Sequence, residues 1–215
     1  MAMHPETEHV AAHIEKHVGK IHMVFHEIVS DDLHIDIHHV KSTLLRRYEV
    51  LVTSGMSAIP MNLPADVQQP RRAEIVTVLP KGWPLTTEAF QDENHYWPLR
   101  LMKDLARLPH YGKTWIGFGH TIANADDGAA ATPVPKQYAP DTSLCAAAVL
   151  PPFTLPEKAW SFHRPDGDEV FLWAAVPLHR AELDYKMQHG MDPLLDLFDK
   201  HGVTDRIDPA RKSVV

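Results

Sequence analysis

Apolar side chains recur at helical spacing in the middle of the chain, between Tyr96 and Ile122. The stripe consists of Leu101, Met102, Leu105 and Leu108. This spacing predicts an amphipathic helix with one buried face. Pro98 suits the first helical turn, where its missing N–H is not needed, and Pro109 is predicted to end the helix. The apolar residues that follow predict a strand; they are Trp115, Ile116, Phe118 and Ile122.

Short apolar runs predict strands on either side of this helix. They cover residues 21–29, 33–38, 48–53, 73–79, 143–150 and 170–176. In the second run Leu33, Ile35 and Ile37 alternate with polar residues, which is the pattern of a half-buried strand. Helical patterns also cover residues 7–18, 179–188 and 192–200.

The order of these elements predicts the fold class. Strands come in runs, and helices lie at the start, in the middle and at the end. This order favours an α+β protein in which helices flank a mixed or antiparallel sheet, rather than a repeated βαβ array. The chain has 215 residues, of which 44% are apolar, and this is enough for one well-filled core. No linker divides the sequence, so residues 1–215 are predicted to form a single domain.

Charge and composition narrow the classes of partner. The net charge is −7, and no basic cluster is longer than Arg46-Arg47 or Arg71-Arg72, which argues against nucleic acid. No run approaches the roughly 20 apolar residues that a membrane helix needs. The first residues are polar and lack the apolar segment of a signal peptide. Cys145 is the single cysteine, so an intrachain disulfide is excluded. Together these features predict a cytoplasmic protein.

The histidine content raises the question of a metal site, since the sequence holds 16 histidines. The best cluster is His34, Asp36 and His38, because alternate residues of a strand point the same way. Imidazole together with carboxylate is a ligand set for zinc or iron. The same pattern is typical of an exposed polar strand face, and short motifs often match by chance. The protein is therefore predicted to bind no metal and no cofactor.

The sequence offers no convincing set of catalytic residues. The turn Gly55-Met56-Ser57 lacks the second glycine of a nucleophile elbow, because Ile59 stands at that position. The carboxylate pairs Asp31-Asp32 and Asp126-Asp127 fall in predicted turns. No nucleophile, base and orienting group can be combined, and the protein is therefore predicted not to be an enzyme.

Three blocks of sequence occur in an order known from one protein family. The first consists of LHIDI, RRYEVLVTSGMSAIPMNLP and RRAEIVTVLPKGWP, in that order. The second is the helix and Gly-His strand YWPLRLMKDLARLPHYGKTWIGFGHTI, and the third is WAAVPLHRAELDYKMQHGMDPLLDLFDKHG. They cover most of the chain. Together they resemble the suppressor-of-fused (SUFU) domain, in the layout of a stand-alone bacterial member.

This resemblance implies the fold of the SUFU N-terminal domain and a protein partner rather than a reaction. In animal members the domain sequesters transcription factors, and an extended partner peptide adds as a strand. Many stand-alone bacterial members are regarded as immunity proteins that neutralise a cognate toxin. The resemblance thus implies a non-catalytic domain that binds a toxin or a regulatory protein, by strand addition or groove docking.

By the same resemblance, the partner-binding surface comprises residues 48–53, the loop after them and residues 73–79. The implied contact residues are Tyr48, Thr53, Ser57, Met61 and Glu74. Three alternatives stay open. Tyr48 and Met61 fit a core position equally well. An adaptor for a cellular protein unrelated to toxins fits the same resemblance. A small metal-dependent hydrolase would use the His34, Asp36 and His38 face.

Overall fold

Across residues 5–27, 33–125 and 134–215, which the computed structural model describes, the chain forms four α-helices and eight β-strands. The helices are α1 (Pro5–His17), α2 (Glu93–Tyr111), α3 (Arg180–His189) and α4 (Met191–His201). The strands are β1 (Ile21–Phe25), β2 (Asp36–Val40), β3 (Tyr48–Ser54), β4 (Arg72–Pro80), β5 (Thr121–Ala123), β6 (Leu144–Leu150), β7 (Ser161–His163) and β8 (Glu169–His179).

These strands form one sheet in the order β1-β2-β3-β4-β8-β6-β5, and β7 pairs with the beginning of β8. β4 and β8 run parallel, with Glu74 opposite Leu172. The remaining pairs in the described part of the chain are antiparallel. The sheet is therefore mixed, and the prediction of an α+β fold with helices flanking such a sheet is confirmed.

Helices cover both faces of the sheet, because successive strand residues point in opposite directions. On one face α2 packs on a core that includes Leu51, Ile75, Ala147 and Ala175. On the other face α1 packs on Val50, Val52, Val76 and Val78, and α4 packs on Ala146, Ala148, Ala174 and Val176. Burial on both faces explains why the central strands read as continuous apolar runs.

The prediction of a half-buried strand over residues 33–38 is wrong in two respects. The strand begins at Asp36 rather than at residue 33, and all its residues are buried. The side chains of His38 and His39 are accordingly paired inside the protein. The Nε2 atom of His38 lies 2.8 Å from the Ser54 hydroxyl, and that of His39 lies 2.9 Å from the Glu49 carboxylate. A polar side chain with a partner can be buried, and alternation alone does not reveal the partner.

The middle of the chain also differs from its prediction. Helix α2 continues past Pro109 to Tyr111, so that proline does not end it. A proline removes one N–H donor, and here the N–H of Gly112 still bonds the Leu108 carbonyl at 2.9 Å. The strand predicted from Trp115 onward is limited to Thr121–Ala123.

Some predicted features lie outside the described residues. They are the end of the first predicted strand, at residues 28–29, and the carboxylate pairs Asp31-Asp32 and Asp126-Asp127. The predicted strands and helices elsewhere match β3, β4, β6, β8, α1, α3 and α4 to within a few residues at their ends.

A buried ion pair fastens the last residues of the chain to the sheet. The carboxylate of Glu182, at the start of α3, is fully buried and accepts two bonds of 2.6 Å from the guanidinium of Arg211. It also accepts from the N–H groups of His179, at 2.8 Å, and Val214, at 3.1 Å. Arg211 donates a further bond of 2.8 Å to the Pro177 carbonyl. Both partners are thus fully engaged, which is the condition under which a buried pair is tolerated.

We expect Arg211→Met to lower the free energy of unfolding by about 3–5 kcal/mol, because it leaves the Glu182 carboxylate buried without its cation. Chemical denaturation of the variant measures this. The control is Arg206→Met, the same change at an exposed position of the same segment. Equal stability of the two variants would show that the ion pair contributes nothing specific.

Candidate functional site

The turn that follows β3 folds around the carboxylate of Glu74. Glu74 is fully buried on β4. Its Oε1 atom accepts bonds from the N–H of Gly55 at 3.0 Å, the N–H of Ser57 at 2.9 Å and the Ser57 hydroxyl at 2.6 Å. Its Oε2 atom accepts from the Thr53 hydroxyl at 2.6 Å. One carboxylate therefore fixes every second residue of the sequence Thr53-Ser54-Gly55-Met56-Ser57.

Gly55 has no substitute in this turn. Its φ angle is +120°, a conformation that residues with a Cβ rarely adopt. A Cβ atom placed there would lie 2.0 Å from the carbonyl oxygen of His34, which is backbone and cannot swing away. The glycine therefore serves close packing of the turn on the segment before β2.

Burial raises the pKa of the Glu74 carboxyl above its ordinary value. The hydrogen bonds from Ser57, Thr53 and Gly55 act in the opposite direction, since they stabilise the charged form. Between its pKa in the unfolded chain and this higher pKa, the folded protein binds more protons than the unfolded protein does. The stability associated with Glu74 is therefore greatest at low pH and falls as the pH rises through that window.

The structure buries most of the side chains that the family resemblance implies as partner contacts. Thr53, Ser57, Met61 and Glu74 are buried. Tyr48 is half-buried, and its hydroxyl donates to the Thr154 carbonyl at 3.2 Å. Their role as contacts stays a prediction, and for the four buried residues it would require the turn to open.

The suggested strands are also interior to the sheet. β3 lies between β2 and β4, and β4 lies between β3 and β8. The main-chain groups of both strands are therefore used within the sheet, and another strand cannot add beside either of them in this structure.

The histidine cluster differs in membership from the one predicted. His34 Nε2 lies 2.8 Å from Asp36 Oδ1, as the sequence suggested. His38, however, is buried and bonded to Ser54, and burial lowers its pKa to about 4. The second imidazole is that of His26, whose Nδ1 lies 3.0 Å from Asp36 Oδ2. Spacing along a strand could not indicate His26, because the pairing of β1 with β2 brings it to Asp36. The hydrolase hypothesis thereby loses one of the ligands on which it was built.

Among the described residues, strands that pair on one side only are β1 and β5, at the two ends of the sheet, and the three-residue β7, which pairs only with the beginning of β8. β1 pairs with β2, and no strand among the described residues lies on its other side. Beside it is a cavity of about 520 Å³ between β1, the segment that precedes α2, and α2 itself. Its apolar lining comprises Met23, Val24, Phe25, Leu85, Phe90, Tyr96 and Leu99. Met23 is 42% exposed. An exposed strand edge and an apolar pocket therefore adjoin each other.

The opposite end of the sheet is formed by β5, which is shorter. Only Thr121–Ala123 pair with β6. A cavity of about 460 Å³ lies between this strand and α2, and it includes Asp104 and Arg107 in its lining. β1 therefore offers the longer edge and the more apolar pocket.

No helix in the described residues is long and apolar enough to cross a membrane.

Two substitutions of Glu74 separate its hydrogen bonds from its charge. Glu74→Gln keeps an acceptor for Gly55 and Ser57, and we expect it to change the free energy of unfolding by no more than about 1 kcal/mol near neutral pH. Glu74→Leu leaves two buried N–H groups without an acceptor, and we expect a loss of about 2–5 kcal/mol. Urea denaturation measures both, with Glu88→Leu at an exposed position as the control. Equal losses in the two Glu74 variants would contradict this account.

The raised pKa of Glu74 predicts a pH dependence of definite sign. As the pH rises above the ordinary carboxyl value of 4.5, the wild-type protein should lose stability relative to Glu74→Gln, which cannot titrate. The measurement is the difference in unfolding free energy between the two proteins from acidic to mildly alkaline pH. A difference that stays constant, or that grows in favour of the wild type, would show that the carboxyl pKa is not raised.

Comparisons with known proteins agree with this architecture. A crystal structure of a SUFU homologue from Neisseria gonorrhoeae FA 1090 superposes with a TM-score of 0.65 at 17% identity, covering 98% of this chain and 97% of that one. A structure described as the Sufu-Fu complex gives 0.63 at 14% identity, with 98% and 92% covered. Drosophila Suppressor of Fused gives 0.60 at 14% identity, and this chain covers 54% of it. These likenesses establish the fold.

A search of curated proteins found no match. The sequence profile of the family described as suppressor of fused protein (SUFU), however, matches residues 31–212. This range holds every strand of the sheet except β1, together with the Glu74 turn and the Glu182–Arg211 pair. The chain therefore belongs to the suppressor of fused family.

Proposed function

We propose that this protein is a non-catalytic binding domain that holds and neutralises a protein partner by strand addition at β1. Membership of the suppressor of fused family supports a binding role, and one structural neighbour is described as a complex of Sufu with Fu. The observation that carries the proposal is the accessible edge of β1 beside an apolar cavity.

The two parts of this site supply different components of recognition. Main-chain N–H and C=O groups on the outer side of β1 would provide affinity that is independent of partner sequence. The cavity would accept an apolar side chain of the added strand and so provide selectivity. Three of its aromatic rings contact one another, with centroids 5.3 Å apart for Phe25 and Phe90 and 5.6 Å apart for Phe90 and Tyr96. Glu88 and Lys103 place one charge of each sign in the lining.

In the cell we propose that the partner is a cognate toxin and that the protein acts as its immunity protein in the cytoplasm. The N. gonorrhoeae neighbour supports this, since it is a bacterial SUFU homologue of which this chain covers 97%. A regulatory protein would be bound by the same edge. A neighbouring gene that encodes a toxin-like domain, and protection of growth on co-expression, would favour immunity over that alternative.

A matched pair of lysine substitutions tests the site. The partner is first captured with the purified full chain, identified by mass spectrometry and then purified. We expect Met23→Lys to weaken its binding at least tenfold, because the charge would stand at the mouth of the apolar cavity. Met187→Lys is the control, since Met187 is an exposed methionine on α3, away from β1. Binding that survives Met23→Lys, or that both substitutions weaken equally, would exclude this edge.

Proline substitutions test whether the backbone of β1 takes part. Of two adjacent strand residues, one N–H faces the paired strand and the other faces outward. Met23→Pro and Val24→Pro therefore remove one group of each kind. We expect one variant to lose partner binding while keeping its thermal unfolding midpoint, and the other to lose stability as its bond to β2 disappears. If the stable variant binds normally, strand addition at β1 is wrong.

A further inference from the structure

We infer that His26, His34 and Asp36 form a binding site for a divalent transition metal ion of the zinc class. Their candidate ligand atoms, one from each residue, all lie within 4.8 Å of one another. Asp36 is the centre, with His26 Nδ1 at 3.0 Å from one carboxylate oxygen and His34 Nε2 at 2.8 Å from the other. The inference is independent of the proposed partner binding.

The spacing of these atoms fits a metal with few changes. Zinc bonds to imidazole nitrogen and carboxylate oxygen are about 2.0–2.2 Å long, so ligand atoms around one ion stand about 3–3.5 Å apart. The observed nitrogen-to-oxygen distances, 3.0 and 2.8 Å, lie at or just below the lower end of that range, and the two imidazole nitrogens lie within 4.8 Å of each other. Rotation of the two imidazole rings would therefore open the space for an ion.

The surroundings of Asp36 orient it as a ligand. The side chain is 11% exposed, and its Oδ1 atom also accepts a bond of 3.2 Å from the N–H of Glu27. The carboxylate of Glu27 is held in turn by the N–H of Ile35, at 3.1 Å, and by Arg107. Such support of a ligating carboxylate is typical of metal sites. Both imidazoles are half exposed, at 57% and 46%, so an ion can enter from solvent.

The ligand chemistry selects the class of ion. Two imidazoles and one carboxylate suit Zn²⁺, Co²⁺, Ni²⁺ or Fe²⁺, whereas Ca²⁺ and Mg²⁺ require mainly oxygen ligands. An ion here would join the residue after β1 to the start of β2 and to the residue before Ile35. Its direct effect would be to hold β1 on the sheet, and the expected result of binding is a more stable protein.

The test uses the full chain without a histidine tag, stripped of metal with a chelator. Zinc chloride is titrated into the protein by calorimetry, and cobalt chloride is added in a parallel experiment that records the visible spectrum. We expect one zinc ion per chain with a Kd of about micromolar or tighter, visible bands of protein-bound cobalt, and a higher thermal unfolding midpoint with zinc. No zinc binding at millimolar concentration would overturn the inference.

Histidine variants locate the site. His26→Gln and His34→Gln should each weaken zinc binding at least tenfold and abolish the thermal shift, while their unfolding midpoints without metal stay close to that of the wild type. His22→Gln changes an imidazole on β1, the strand that ends one residue before His26, and this variant should bind zinc normally. His17→Gln tests another close imidazole pair, since the ring centroids of His13 and His17 lie 4.9 Å apart on α1. If zinc binding is lost only in His17→Gln, or if His26→Gln binds zinc normally, the ion lies elsewhere and the proposed site is wrong.

Discussion

The turn after β3 depends on one buried polar group, the carboxylate of Glu74. It lies in the middle of the sheet, on the strand that joins the antiparallel part β1–β4 to the parallel neighbour β8. Four bonds from Thr53, Gly55 and Ser57 close the turn after β3 over it. Without an acceptor at this point, the N–H groups of that turn would be buried and unpaired, at about 1–3 kcal/mol each. The direction of the chain after β3, and the packing of Gly55 on His34, both follow from it.

Sequence patterns predicted the central strands well, because successive residues of these strands are buried on both faces of the sheet. The runs that became β3, β4, β6 and β8 are rich in β-branched and small apolar residues, and both of their faces are covered by helices. The helical stripe of α2 was equally clear. Periodicity failed at β2, where His38 and His39 are buried by virtue of partners on β3. The prediction that Pro109 ends α2 was also wrong, because backbone hydrogen bonds carry the helix on to Tyr111.

The residues of the candidate site were harder to predict from the sequence, because they are brought together by the pairing of strands. A residue such as Glu74 can be suggested as a contact because it occurs in a family motif, yet the motif records what folds the turn as well as what meets a partner. The position of β1 at the edge of the sheet depends on strand order, which periodicity does not contain. The meeting of His26 with Asp36 likewise depends on strand pairing. Composition did indicate an abundance of imidazole, but not which rings converge.

The parallel pairing of β4 with β8 has a consequence for folding during translation. β4 ends at Pro80, whereas β8 begins at Glu169, so the parallel partner of β4 is translated much later. Until then β4 is an open edge with strong β propensity, of the kind that pairs with other chains. Truncated products that stop before β8 would keep that edge. In the completed sheet that edge lies at β5, which has only three residues, and β1 remains the edge on the other side.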